Sequence, residues 1–299
     1  MRYLNPKADL TFKKVFGEHP NLVKSLLNAL LPFDSPEEEI EDLDYLTPEL
    51  VPDTPFKKNS IVDVRCRDKR GRQFIVEMQM LWSPAFMQRV LFNASKAYVR
   101  QLGGTEKYEL LQPVYSLNLV NDIFLPDLAE YYHDYRIVRM AHTDKVIEGL
   151  RFIFVELPKF TPHSYNEKKM QVLWLRYLTE IDEQTNQVPK DLLDNPEIHQ
   201  AVMQIEESAF SDAQLLGYDE FWDAVRVESA LVSDALKEGL AEGRAKGLAE
   251  GRAEGLAEGL AEGRAEGRLS TARNLKKMGV APDTIARATG LSFEEIEKL

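Results

Sequence analysis

Cysteine occurs once in the chain, as Cys66. No internal disulfide can form and no thiol cluster is available to a metal, so a small buried side chain is the expected role. No stretch approaches the eighteen or more apolar residues of a membrane span, and the opening MRYLNPKADL has no apolar signal core. The expectation is a cytoplasmic protein with no membrane partner. His19, His133, His142, His163 and His199 are scattered without ligand spacing and are assigned no role. Positive charge is in deficit: 37 lysines and arginines face 49 aspartates and glutamates, for a net charge of −12. That excludes a general polycation, and any contact with nucleic acid must be local.

What is present is a chain of 299 residues, 44% of them apolar, enough for one sizeable core and a second element. TFKKVFGEHPNLVKSLLNALL (11–31) has helical apolar spacing, with a break and restart at His19-Pro20-Asn21. After an acidic, proline-punctuated stretch, IEDLDYL supplies a first strand, and SIVDVRCR and QFIVEMQM supply two strong ones. SPAFMQRVLFNASKAYVRQL (83–102) is a helix with Ser83 as N-cap, Pro84 at its first position and Gly103-Gly104 as its stop. PVYSLNLVND and RFIFVEL add two strands, so the order helix, three strands, helix, strand, strand predicts a mixed α/β domain over 1–160.

Residues 161–237 turn helical and form an accessory region, with Trp174, Phe221 and Trp222 as core side chains. Residues 238–268 repeat every four residues, with eight glycines from Gly239 to Gly267. At about 1 kcal/mol each relative to alanine, the glycines count roughly 8 kcal/mol against an isolated helix. No glutamate of the repeat lies three or four residues from an arginine, and only Lys246 gains favourable neighbours in Glu242 and Glu250. The row drifts by about 40° per unit and favours right-handed winding. Self-association of this segment, giving a homodimer or other homo-oligomer, stands against a flexible or semi-helical tether. Residues 269–299 form a small helical end, in which Gly279 stops one helix, Asp283 caps a second and Gly290 precedes a third. It looks like a helix-turn-helix, but the acidic FEEIEKL argues against base reading.

The turn DKRGR fixes the register of the strong strands. Gly71 suits the left-handed position of a three-residue loop, so Asp68 faces Arg72 and the numbers of facing residues sum to 140. One face then carries Val62, Val64, Cys66, Phe74, Val76, Met78 and Met80; the other carries Ile61, Asp63, Arg65, Ile75, Glu77 and Gln79. Asp63 opposite Glu77 puts the β-carbons of two acidic residues about 5 Å apart, and their carboxylates repel unless something offsets them. Mg²⁺ or Mn²⁺ would do so, taking one or two carboxylates while leaving room for water and a substrate phosphate. Gln79 beside it would orient an attacking water. A solvated face screened by Arg65 is the alternative. At the tip, Arg65, Arg67, Lys69, Arg70 and Arg72 surround Asp68, either as a solvated hairpin end or as a contact to a phosphate backbone.

Asp63, thirteen residues, then Glu77-Met78-Gln79 resembles the PD-(D/E)XK nuclease signature with glutamine in place of lysine. The opening NPKADLTFKKVFG, the phrase FMQRVLFNASKAYVRQL and GGTEKYELLQPVYSLNLV resemble the recombination-promoting nuclease and transposase family over roughly 1–160. The repeat and the small helical end look like tails common in that family. The resemblance implies an α/β, restriction-endonuclease-like αβββαβ core with a helical C-terminal extension, acting as a Mg²⁺-dependent DNA endonuclease that promotes recombination. By carry-over Asp63 and Glu77 hold the metal, and Gln79 completes the catalytic set. Asp9 is a further metal candidate from the first helix, or else that helix's N-cap. Lys13 either pairs with Asp9 or meets a phosphate, and Arg89 is a phosphate clamp or a structural ion-pair partner. Two rivals stand beside this reading: a catalytically degenerate binding or scaffold protein acting through its C-terminal helices, and, last, a strand-joining transposase.

Overall fold

The computed structural model describes residues 2–33, 35–50, 60–102, 107–162 and 169–299. Two compact units divide the chain at Ser229/Ala230. The Gly103-Gly104 stop and His163 lie outside the described residues.

In the first unit, helix α1 (Asp9–Phe12) runs into a π-helical turn, Lys13–Gly17, and α2 (Pro20–Leu30) restarts with Pro20 at its first position. The strands are β1 (Leu43–Tyr45), β2 (Glu49–Leu50), β3 (Ser60–Ile61), β4 (Val64–Asp68) and β5 (Gln73–Gln79). Helix α3 (Pro84–Val99) leads to β6 (Val114–Val120), β7 (Tyr132–Arg139) and β8 (His142–Glu156). Six strands form one mixed sheet in the order β1-β4-β5-β6-β8-β7, parallel at β5/β6 and β6/β8. The fold is therefore α/β, as the nuclease resemblance implies. Strand β7 is not apparent in the sequence. It pairs antiparallel with β8 through two register shifts, and the outer part of the hairpin is exposed on both faces, so no period-two burial marks it.

Helices cover both faces of the sheet. On one face Leu22, Leu26 and Leu27 of α2 meet Val64, Cys66, Phe74 and Val76, joined by Trp174 and Tyr177 of α4 (Lys169–Glu180). Ile198 and Val202 come from α6 (Pro196–Gln204), which follows the short α5 (Lys190–Leu193). On the other face Ala94 and Ala97 of α3 pack on Ile75 and Val114, and Phe86 and Val90 pack on Val120 and Phe154. Val62, expected beside Val64 and Cys66, instead joins the α3 face with Leu50 and Ile75. The reason is that SIVDVRCR is not one strand: β3 pairs with β2 in a separate two-stranded sheet, and the chain bends at Asp63 before β4 begins. Alternation cannot be counted through a bend.

Helix α7 spans Asp212–Lys277 and takes in the whole repeat. Its first turns belong to the first unit, where Tyr218, Phe221 and Trp222 pack with Leu4, Ala8 and Phe210. In the second unit, Leu240, Leu248, Leu256 and Leu260 are more than half exposed, and a Cβ at any of the eight repeat glycines would meet nothing within 4 Å. Lys246 lies 3.9 Å from Glu250. Helices α8 (Pro282–Thr289) and α9 (Phe293–Glu297) close over Ala272 through Ile285 and Ile296. Gly279 and Gly290 both adopt positive φ (74° and 70°) at the turns. Asp283 is not the cap expected of it: Ala281 holds the cap position and Asp283 pairs with Arg287. No described helix is long and apolar enough to cross a membrane.

Candidate active site

The site begins with the hairpin. Asp68 N–H donates to the Arg72 carbonyl at 3.1 Å, Gly71 N–H donates to the Asp68 carbonyl at 3.0 Å, and Gly71 has φ +85°. The ladder pairs Val64 with Val76, Arg65 with Ile75, Cys66 with Phe74 and Arg67 with Gln73, so every pair sums to 140. Asp63 stands one residue before β4, where the ladder ends. Its Oδ2 accepts the Met78 N–H at 2.8 Å, taking the place of a backbone carbonyl. This hydrogen bond ties the bend to the end of β5 and carries the Asp63 carboxylate toward Glu77.

Glu77 is 5% exposed on the α3 face. Its Oε1 accepts from Asn93 Nδ2 at 3.0 Å, and its Oε2 lies 3.9 Å from Arg89 Nη2. Burial pushes the Glu77 carboxyl up to about 7; the Asn93 hydrogen bond opposes this and the charge of Asp63 adds to it. Burial also raises Asp63, offset in part by the Met78 amide and by Lys13 and Arg89, while Asp9 acts in the opposite sense. Two desolvated carboxylates thus share one place with incomplete compensation.

Gln79, the last residue of β5, donates from Nε2 to the Leu81 carbonyl at 2.6 Å and accepts from Arg89 Nη2 at 2.7 Å. Arg89 also lies over the Phe86 ring, 5.0 Å from its centroid. Asp9 and Lys13 form an ion pair at 2.6 Å one turn apart, both about half exposed. Ala8 occupies the N-cap position of α1, so Asp9 is free of the capping role. A cavity of about 500 Å³ adjoins this pair, lined also by Lys14, Glu18, Gln214 and Gly217.

The basic hairpin tip is elsewhere. Arg72 lies five strand residues from Glu77, about 16 Å along β5. Arg72 is 7% exposed; it pairs with Asp68 at 2.7 Å, donates to the Glu38 carbonyl at 2.8 Å and packs against Phe33 and Phe74. This corrects the expectation that Arg72 meets a phosphate backbone: the side chain is structural. Arg65 does not screen the carboxylates; its Nη2 donates to Gln73 Oε1 at 2.9 Å. Lys69 pairs with Asp42 at 3.1 Å and Arg70 donates to the Glu37 carbonyl, while Arg67 is exposed.

The sequence reading missed Asn93, a residue 1% exposed on the inner face of α3. One signal was available: a helix whose inner positions are alanines, valine and phenylalanine holds one amide among them. It also missed Glu156 at the end of β8, whose carboxylate takes His133 Nε2 at 2.8 Å, Lys159 Nζ at 2.6 Å and the amides of Phe124 and Leu125. That network is satisfied and anchors the segment after β6.

The donor set suits a hard cation. Asp63 Oδ1 and Glu77 Oε2 accept no hydrogen bond among those described; Glu77 is buried and Asp63 partly buried, and neither has a full counter-charge. Among the described residues no three His, Cys, Asp or Glu side chains gather to hold a metal. Two carboxylates leave most of a coordination sphere to water and substrate oxygens, which fits Mg²⁺ or Mn²⁺ rather than Zn²⁺.

No curated protein and no solved structure matches the chain. A family model described as PD-(D/E)XK nuclease family transposase matches residues 6–234, a span that runs from just before α1 into α7 and contains every residue of the site. The chain belongs to the PD-(D/E)XK nuclease family transposases.

Proposed function

We propose that the chain is a divalent-metal-dependent endodeoxyribonuclease that cleaves DNA phosphodiesters, with Asp63 and Glu77 holding Mg²⁺ or Mn²⁺. The observation that carries this is the pair of desolvated carboxylates brought together by the Asp63 bend, an arrangement that costs stability unless a cation joins it. Nucleases of this class generally use divalent metals. When bound, such an ion polarises the scissile phosphate and lowers the pKa of an attacking water.

The chain's own residues do the rest. Asn93 engages one oxygen of Glu77 and leaves the other toward the site. Arg89, half exposed and pinned at its inner side, meets a phosphate oxygen with its free N–H groups. Lys13, one turn from Asp9, offers a second cation whose charge acts on Asp63. Gln79 cannot accept a proton as a lysine amine can, so the proton of the attacking water passes to a phosphate oxygen of the substrate. Exposed Arg67 and Arg70 contact DNA farther from the cut. The exposed leucines of the repeat, and its arginines, which find no glutamate three or four residues away within the repeat, support dimerisation through α7, giving two sites for two strands.

A cleavage assay with and without Mg²⁺, comparing the parent with Asp63→Ala on linear and supercoiled DNA, tests this. Cleavage by the parent with Mg²⁺, and its loss in the variant, is the expected result. Absence of metal-dependent cleavage on every substrate sinks it. The scaffold reading is favoured by one observation, that Gln79 is hydrogen-bonded at both ends and no lysine stands in its place. Calorimetry showing no Mn²⁺ or Mg²⁺ site dependent on Asp63 and Glu77 would select it.

A further inference from the structure

We infer that Gln79 is a positioning residue whose work is to hold Arg89, and that Arg89 carries on α3 the positive charge that a lysine at position 79 would carry on β5. The inference rests on the nuclease reading above and assigns Gln79 a role other than orienting water.

Four contacts support it. Gln79 Nε2 donates to the Leu81 carbonyl at 2.6 Å, which fixes which end of the amide is which. With the amide reversed, its NH₂ would face the Arg89 donor and its oxygen the Leu81 carbonyl, two like contacts at once. The oxygen is therefore aimed at Arg89 Nη2, at 2.7 Å. The Phe86 ring supports the guanidinium from below at 5.0 Å, and Glu77 Oε2 draws it from 3.9 Å. Arginine loses much side-chain entropy when fixed, and here bracket, ring and carboxylate fix it beforehand. Yet its side chain keeps 48% exposure, so several of its five N–H groups stay open to a ligand.

The bracket must be an acceptor. A lysine at position 79 would set an ammonium against the guanidinium and expel Arg89, whereas glutamine attracts it without adding charge. The two positions are thus alternatives for one cation.

Fluorescence anisotropy of the full chain on a duplex oligonucleotide in EDTA, across a salt series, reads the clamp without metal or turnover. Arg89→Ala is expected to raise Kd about tenfold and to lower the salt slope by about 1. Gln79→Met, which keeps the volume and removes the acceptor, is expected to raise Kd about threefold. In the double variant it is expected to add nothing to Arg89→Ala, with thermal unfolding unchanged throughout. In Mg²⁺, Gln79→Lys with Arg89→Ala is expected to cleave faster than Arg89→Ala alone. An unchanged Kd in Arg89→Ala, or Gln79 and Arg89 effects that add, overturns the inference. The two readings fail separately: coupled affinity without any cleavage keeps the bracket and loses the enzyme, while Asp63-dependent cleavage with additive effects does the reverse.

Discussion

Glu77 shows how one side chain can weaken a fold in the absence of its ligand. Its folded pKa of about 7 lies above the ordinary 4.5, so the native state binds more protons than the unfolded chain between those values. The contribution to stability is complete below pH 4.5, falls as pH rises through that window, and is lost above about 7, a span of about 3 kcal/mol. In EDTA, the melting temperature should therefore drop between pH 5 and pH 8, and Glu77→Gln should remove most of the drop, leaving the variant about 5 °C more stable at pH 8. A variant no more stable than the parent at pH 8 would show that burial does not strain this carboxylate. Asn93 acts on the same group from the other side. Asn93→Ala should weaken Mn²⁺ affinity by 10- to 100-fold, the range typical of lost hydrogen bonds to a metal ligand, and calorimetry would read it directly. Cys66, fully buried and raised to about 12 by desolvation and the nearby Asp68, should resist thiol reagents at pH 8 until the chain unfolds.

At the scale of elements, the hairpin β4–β5 has two ends with different work. The turn end is structural: Gly71 sits at φ +85° with Gln112 Cγ 3.1 Å from where a Cβ would be, and Arg72 and Asp68 form a buried pair. Removing one partner of such a pair leaves an uncompensated charge. Arg72→Ala should accordingly cost about 3–5 kcal/mol in denaturant unfolding while leaving cleavage per folded molecule unchanged. A stable variant with lost activity would instead return Arg72 to the DNA-contacting set. The other end holds the proposed metal site, where the break at Asp63 lets its carboxylate take the Met78 N–H and stand near Glu77. The register was legible in the sequence, since a glycine-bearing three-residue turn leaves few ways to pair the flanking strands. The break was not legible, since β2 and β3, whose pairing turns the chain aside, are two residues long.

For the molecule as a whole, the repeat helix presents a physical contradiction within one chain. Eight glycines weaken it by roughly 8 kcal/mol, and none of them is needed for close packing inside the chain. A second copy packed on the glycine row would resolve this, and light scattering should then give a dimer or larger assembly for the full chain and a lower mass for a chain ending at Lys237. Equal subunit number in both would remove the repeat from the assembly.

Sequence alone determined the α/β class, the hairpin register and the candidacy of Asp63, Glu77 and Gln79, because turn chemistry and strand alternation are local and repeat in the residues themselves. It also placed the break at Pro20 and the helix start at Pro84. Only the tertiary structure decided that Arg89 and Lys13, not the arginines of the tip, stand by the carboxylates. It alone brought Asn93 onto Glu77 and withdrew Arg72 into the core. Those outcomes depend on which helix covers which face of the sheet, and a helix sixteen residues long carries the same pattern whichever strand it crosses.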